Sequence, residues 1–234
     1  MLLRHLTKHV EDQNWFAVGL DFLIVVFGVF IGLQVANWND VSRAAAKEVA
    51  VIEQLQSEFT QTLAEIRTAK TNSDLVLEKT RDVLRIIRDQ MEPADTVEFL
   101  DTLRSAGSFV TAPAEPITLT ELLSAGGLSD LMSPALRTAL TRYHQVSDQH
   151  QVLGGLMLAR ASATHDGFHT AIYVNPDFGM NGESLLARYD WDRLPDAREQ
   201  FQVLLYGKIG LSRNIDELII RGEAVISELE AALK

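Results

Sequence analysis

The sequence predicts an all-α protein in which one N-terminal transmembrane helix continues into a long helix and an extramembrane helical bundle. Three observations support this fold class. One apolar run lies near the start of the 234-residue chain. Apolar residues then recur at helical spacing, and no stretch alternates as a half-buried strand would. We therefore predict a tail (1–14), a transmembrane helix (15–38), a long helix or stalk (39–91) and a bundle domain (92–234) that packs on the long helix.

Residues 15–38 are apolar enough to span a bilayer. As a helix they would extend about 36 Å, and no charge follows Asp21 within the run. The large apolar side chains outweigh the cost of inserting that one carboxylate near the end of the span. A secretory signal peptide is the competing interpretation, but its small-residue site at 44–46 lies too far along for ordinary cleavage. We predict an uncleaved anchor.

Polar and aromatic residues mark both ends of the span. Trp15 and Trp38 bracket it as interfacial anchors, because the ring is apolar and its N–H group can reach water. Asn37 and Asn39 flank Trp38 at the membrane exit, where they can bond to backbone or headgroup atoms.

Charges around the span favour neither orientation strongly. Arg4 and Lys8 precede it, and Arg43 and Lys47 follow it. Because the two sides carry equal numbers of basic residues, the positive-inside rule favours neither orientation. A short tail before a first span favours a cytoplasmic N-terminus, which places the bulk of a Gram-negative protein in the periplasm.

One face of the span is suited to helix packing. Asp21, Val25, Gly28, Gly32 and Ala36 fall within about 80° of one another at 100° per residue, and the two glycines form a GxxxG pair. Small residues let membrane helices approach closely, and an intramembrane carboxylate usually faces protein or water. The alternatives are that the glycines are incidental and that the carboxylate reaches the nearby interface.

The region after the membrane carries a helical apolar stripe. Ile52, Phe59 and Ile66 occupy one heptad position and Leu55 starts another, with a stripe wider than a strict coiled-coil seam. The polar stretch 71–74 leaves a second possibility open, in which Ser73 caps a new helix and the region forms a hairpin.

Cap residues predict the later helices. Asp95, Thr118 and Ser133 each stand where a side-chain oxygen caps a helix, and Gly126 is a left-handed stop. The dipeptide 195–196 is predicted to cap the last helix.

Composition excludes several functions. The chain has no Cys and a net charge of −11, and removing the neutral tail and Asp21 leaves −10 after the membrane. An acidic domain does not favour nucleic acid or anionic lipid, and cysteine nucleophiles, thiolate zinc sites and disulfides are excluded.

Two segments resemble an uncharacterised bacterial family of single-pass membrane proteins. The first, residues 21–39, ends in a Gln-x-x-Asn-Trp-Asn signature formed by Gln34, Asn37, Trp38 and Asn39. The second is 118–126 with the apolar residues that follow it to Tyr143. The resemblance implies an inner-membrane protein with a helical domain, and it supplies no catalytic residues.

The best candidate for catalysis is a histidine pair. His165 and His169, at i and i+4, share a helix face and can ligate one transition metal. Asp166 stands where a zincin has Glu, and Gly167 weakens the helix. We expect no metal and no cofactor. His150 lies on an apolar stripe and is predicted to be a buried core histidine.

A turn-rich loop provides a possible partner surface. Tyr189 and Trp191 lie among acidic residues there, and tryptophan is a frequent interface anchor. The alternative is that Trp191 closes the end of the bundle.

The sequence therefore predicts a membrane-anchored noncatalytic helical interaction or accessory module. Its expected partners are the lipid bilayer and either a second copy, as a homo-oligomer, or another membrane protein. A ligand-sensing extracytoplasmic bundle is the first alternative. A metal-dependent enzyme that uses His165 and His169 is the second.

Overall fold

The computed structural model describes residues 15–162, 170–176 and 186–234. Within these residues the protein is all-α, which confirms the predicted fold class. The α-helices are α1 (Trp15–Asp89), α2 (Thr96–Gly107), α3 (Ile117–Ser124), α4 (Pro134–Ser162) and α5 (Arg198–Ala232). Two 3-10 helices cover Gly127–Asp130 and Leu194–Ala197.

The chain divides into two compact units, Met1–Ala50 and Val51–Lys234. The described part of the first unit is the beginning of α1. From Gly19 to Lys47 every side chain is exposed. This unit has no core of its own among its described residues.

In the second unit, α1 buries one stripe of side chains. The helix passes through 71–74 without a break, and Ser73 is buried on the stripe instead of capping a new helix. Lys70 pairs with Asp74 across one turn here (2.6 Å). The buried residues recur every three or four positions, as a core-facing helix requires. They are Ile52, Leu55, Phe59, Leu63, Ile66, Ala69, Ser73, Leu77, Thr80, Val83 and Ile87.

The core of the second unit consists of two apolar clusters. The first joins α1, α3, α4 and α5, and within it the rings of Phe59 and Tyr143 meet edge to face with centroids 4.9 Å apart. The second joins the end of α1 to α2, the strands and the start of α5, and includes Phe99, Phe201 and Leu204. Burial of these side chains is the main stabilising contribution to the unit.

Among the described residues, a short antiparallel strand pair is the departure from the predicted helical bundle. β1 (Ile172–Val174) pairs with β2 (Leu186–Tyr189), and Ile172 lies opposite Tyr189. Three and four residues are too few to produce a visible alternation. The pair is held by burying Ile172 and Leu186 in the second apolar cluster.

Several predicted helix ends are confirmed. Asp95 accepts hydrogen bonds from the N–H groups of Val97 and Glu98, both at 2.9 Å, and so caps α2. Ser133 Oγ accepts from the N–H of Leu136 (3.2 Å) at the start of α4. Gly126 has φ of +69°, the left-handed conformation that favours glycine.

Two predicted caps were wrong. Thr118 lies inside α3, whose N-cap position is Pro116. Pro195 and Asp196 lie in the 3-10 helix Leu194–Ala197, which runs directly into α5, so α5 begins without a side-chain cap. Before α5, Ala197 is already in the helical region (φ −81°, ψ −2°), whereas before α3 Pro116 is extended (φ −53°, ψ 138°) and offers no side-chain cap.

Candidate functional site

The first part of α1 is a candidate membrane span. It contains an 18-residue window of mean hydropathy 2.2, of which no part is buried within the protein. Among the described residues, one helix, near the N-terminus, is thus long and apolar enough to cross a membrane. Its large side chains are exposed; Phe22, Phe27, Phe30 and Leu33 are each more than half exposed.

The predicted packing face of this span is open. Asp21, Val25, Gly28, Gly32 and Ala36 are all exposed. A Cβ atom placed on either glycine would meet nothing within 4 Å. Nothing in the described part of the chain occupies this face.

The predicted interface residues lie at the two ends of the span. Trp38 is 76% exposed, and Asn37 and Asn39 beside it are also exposed. Trp15 is the first residue of α1.

The predicted metal pair lies outside the described residues, because His165 and His169 fall within 163–169. Among the described residues, no group of three His, Cys, Asp or Glu side chains is placed to hold a metal ion. The expectation of no metal, and the alternative of a metal site at this pair, therefore both stay predictions.

Tyr189 and Trp191 are half-buried and pack against the second apolar cluster. The Tyr189 ring meets Phe99 edge to face with centroids 5.0 Å apart. Next to the paired strands, the N–H of Asp190 donates to the carbonyl of Ala171 (2.8 Å), which continues the antiparallel pairing up to Trp191. Both rings thus contribute to the core and remain partly exposed.

A lysine that the sequence reasoning did not single out is buried between α1, α2 and α5. Lys208 is 2% exposed. Its Nζ donates to the carbonyl oxygen of Ala106 (2.6 Å) and to Thr80 Oγ1 (2.7 Å). The carbonyls of Val76 and Ser105 lie at 3.4 Å. Burial lowers the pKa of Lys208 to about 7.

Backbone carbonyl oxygens stabilise the buried amine of Lys208. Ala106 lies in the last turn of α2, where carbonyls lack partners within the helix and the helix dipole is negative. Thr80 donates its own hydroxyl proton to Val76 (2.7 Å), which leaves its oxygen free to accept from Lys208. The lysine therefore completes the C-terminal end of α2 and ties it to α1.

His150 is a buried core histidine, as predicted. It is 3% exposed, and its Nε2 accepts from the N–H of Ala112 (2.9 Å). The proton therefore sits on Nδ1, which donates to Asn214 Oδ1 (3.0 Å). Burial lowers the pKa of His150, although the bond to Asn214 acts in the opposite direction.

A carboxylate of α1 supplies the missing cap of α3. Glu58 accepts from the N–H of Thr118 (3.0 Å) and from its hydroxyl (2.8 Å). Partial burial raises the pKa of Glu58, but the hydrogen bonds from Thr118 and Gln54 outweigh it and hold the pKa below its usual value. This contact joins residues 60 positions apart, which explains why a local sequence pattern did not reveal it.

A surface groove lies beside His150. Its volume is about 550 Å³, and it runs between α4 and the extended connection that follows α2. Phe109, Pro113 and Leu158 give it a mainly apolar lining, and Gln151 supplies an amide. Gly154 permits the connection to approach, because a Cβ there would come within 3.2 Å of the Thr111 methyl group.

Comparison of the chain with protein-family models, with curated proteins and with solved structures found no match. The resemblance to the single-pass family therefore stays a prediction.

Proposed function

We propose that this chain is a membrane-anchored, noncatalytic helical module that associates with itself or with another membrane protein. The observation that carries the proposal is the apolar start of α1, in which every side chain from Gly19 to Lys47 is exposed. An apolar surface of this length is stable in a bilayer or against other apolar helices, and not in water.

The small-residue face supports association. Gly28 and Gly32 leave the helix backbone open to a close neighbour, and close packing is a major source of helix affinity in lipid. Asp21 on the same face favours protein or water over lipid as its surroundings. A second helix against this face would satisfy both requirements.

The polar groups inside the bundle support a structural role. Lys208, His150 and Glu58 each bond to the backbone of a different element. These bonds hold helix ends and connections in place. These side chains therefore stabilise the arrangement of the helices. A rigid bundle on an anchor is suited to presenting a surface to a partner.

We place the module in a bacterial inner membrane with its N-terminus in the cytoplasm and the bundle in the periplasm. Because the chain has no Cys, Val97→Cys, at a position 78% exposed, gives one labelling site. Labelling by an impermeant maleimide in intact spheroplasts is expected; labelling only after lysis would reverse the orientation.

Cross-linking in native membranes tests the association. Wild type is expected to form a species larger than the monomer, and Gly28→Leu with Gly32→Leu to reduce it strongly. Gly19→Leu is the matched control, because Gly19 is also open but lies about 140° from the centre of the packing face. A partner-free monomer in both wild type and double variant would overturn the proposal.

The groove beside His150 favours a second candidate, a ligand-sensing bundle. Its volume of about 550 Å³ falls within the range of small-molecule sites, and its mainly apolar lining is typical of them. A thermal-shift screen against small molecules tests this function. Stabilisation that Gly155→Leu abolishes would support it, since Gly155 lines the groove, and a screen without any stabilising compound would count against it.

A further inference from the structure

The outward side of α4 becomes apolar toward its C-terminal end. Gln145 and Gln149 begin this side, and Val152, Leu156 and Ala159 continue it with alternating spacings of four and three residues. Val152 is 64% exposed and Leu156 is 51% exposed. We call Val152, Leu156 and Ala159 the α4 ridge.

A groove of about 290 Å³ lies between α4 and α5, next to the α4 ridge. Leu153, Met157, Gly207 and Gly210 line it, and Tyr206 at its edge is 76% exposed. We call it the α4–α5 groove. An apolar ridge and a mainly apolar groove, whose lining also includes Arg160, thus lie side by side on one surface. Such a surface is self-complementary, as a twofold contact between identical chains requires.

Contacts along α5 define the direction of α1. Arg67 pairs with Glu223 late in α5 (2.8 Å). Thr80, further along α1, accepts from Lys208 earlier in α5 (2.7 Å). Within the second unit, α1 and α5 are therefore antiparallel.

Contacts on the other side of α5 define the direction of α4. His150 bonds to Asn214 (3.0 Å), and Met157, further along α4, packs over Gly207, earlier in α5. Since α4 is also antiparallel to α5, α4 and α1 run in the same direction. The chain enters this unit at Val51, at the end where α4 begins.

We propose that the α4 ridge and the α4–α5 groove form a contact between two copies of this chain. Their α4 helices lie side by side and parallel, and the ridge of each copy inserts into the groove of the other. This inference rests on the proposed self-association and identifies its contact outside the membrane.

Two features favour a second copy as the occupant. Parallel packing keeps the Val51 ends of both copies on the same side, as anchoring in one membrane requires. Anchoring also raises the effective concentration of the second copy, so that a contact smaller than the standard interface of about 1,600 Å² is sufficient. The 4–3 spacing of Val152, Leu156 and Ala159 places these apolar residues on one line along α4, as a contact with a parallel helix needs.

Variants of the full chain in native membranes test the two halves separately. Leu156→Ala truncates the α4 ridge. Gly210→Leu fills the α4–α5 groove, where a Cβ has open space within the protein. Each is expected to reduce the cross-linked dimer about tenfold while the thermal unfolding of the bundle changes little. Leu75→Ala is the control, because Leu75 of α1 is 57% exposed and lies outside the ridge.

A position-specific measurement separates this contact from the membrane contact. In the chain without Cys, Leu156→Cys is expected to give a dimer with a bifunctional maleimide, and Leu75→Cys is not. If wild type associates but Leu156→Cys does not cross-link, the α4 contact is wrong and the proposed function stands. If wild type remains monomeric in its membrane, the α4 contact and the proposed association are both wrong.

Discussion

Lys208 Nζ lies 2.6 Å from the carbonyl oxygen of Ala106, at the end of α2. A buried lysine on α5 thereby completes a helix that begins about a hundred residues earlier in the chain. The same amine donates to Thr80 of α1 (2.7 Å). This junction lies beside the second apolar cluster and ties α1, α2 and α5 together.

The stability of the bundle should rise with pH above neutrality because of Lys208. Its pKa in the folded protein is about 7 against an ordinary 10.5, so the unfolded state binds more protons between these values. The cost of burying the ammonium is fully present below about pH 7 and is relieved as the pH approaches 10.5. Thermal unfolding of wild type should therefore move upward between pH 7 and pH 9.5.

Lys208→Met should remove this pH dependence, and Lys79→Met should retain it. Lys79 is the matched control, because its amine also donates to a threonine, Thr102 (3.3 Å), but the residue is only half-buried. Circular dichroism of both variants across the pH range is the measurement. An unchanged slope in Lys208→Met would show that another group causes it.

The bundle should also lose stability in weak acid because of His150. The pKa of His150 lies below its ordinary 6.5, so the unfolded state takes up a proton first as the pH falls through 6.5. Protonation of Nε2 would also break the hydrogen bond from Ala112. Unfolding temperatures of wild type and His150→Gln between pH 7.5 and pH 5.5 check this. A parallel decline in both would contradict the assignment.

Glu58→Ala should destabilise the protein by about 1 kcal/mol through loss of the α3 cap. Glu65→Ala is the control, because Glu65 accepts an equivalent bond from Gln61, as Glu58 does from Gln54, both at 3.0 Å. Chemical denaturation at pH 7 measures the difference. Since the pKa of Glu58 is lowered, its contribution is present above the ordinary value of 4.5 and is lost in acid. Equal effects of the two substitutions would refute the cap.

Two glycines of α5 should respond oppositely to alanine. At Gly207 a Cβ would overlap the sulfur of Met157, whereas at Gly210 it meets nothing within 4 Å. Gly210→Ala should stabilise by about 0.5–1 kcal/mol through helix propensity. Gly207→Ala should not give this stabilisation, because its Cβ would overlap Met157. The double variant Gly207→Ala with Met157→Ala should recover it. Equal stabilisation by both glycine substitutions would contradict this packing.

The helical fold was predictable because its signal is local. The stripe of α1 repeats every three or four residues over ten turns, and burial follows that spacing from Ile52 to Ile87. The caps at Asp95 and Ser133 also depend on neighbours within three residues. The strands β1 and β2 could not be predicted from the sequence, because three or four residues are too few to show the alternation of a strand.

Lys208 had a signal in the sequence that the prediction did not use. The buried stripe of α5 alternates spacings of three and four through Phe201, Leu204, Leu211 and Ile215, and Lys208 occupies the missing position. A lysine in register with an apolar repeat indicates a buried amine. Its acceptor on α2 was not predictable, because the end of α2 reaches α5 only through tertiary packing.

The mass of the protein in lipid particles excised from its native membrane decides whether the anchored module associates. We expect a protein mass above that of the 26.0 kDa chain for wild type and Gly19→Leu. For Gly28→Leu with Gly32→Leu we expect a shift toward the monomer. A mass of one chain, with no partner, for wild type would contradict the proposed association.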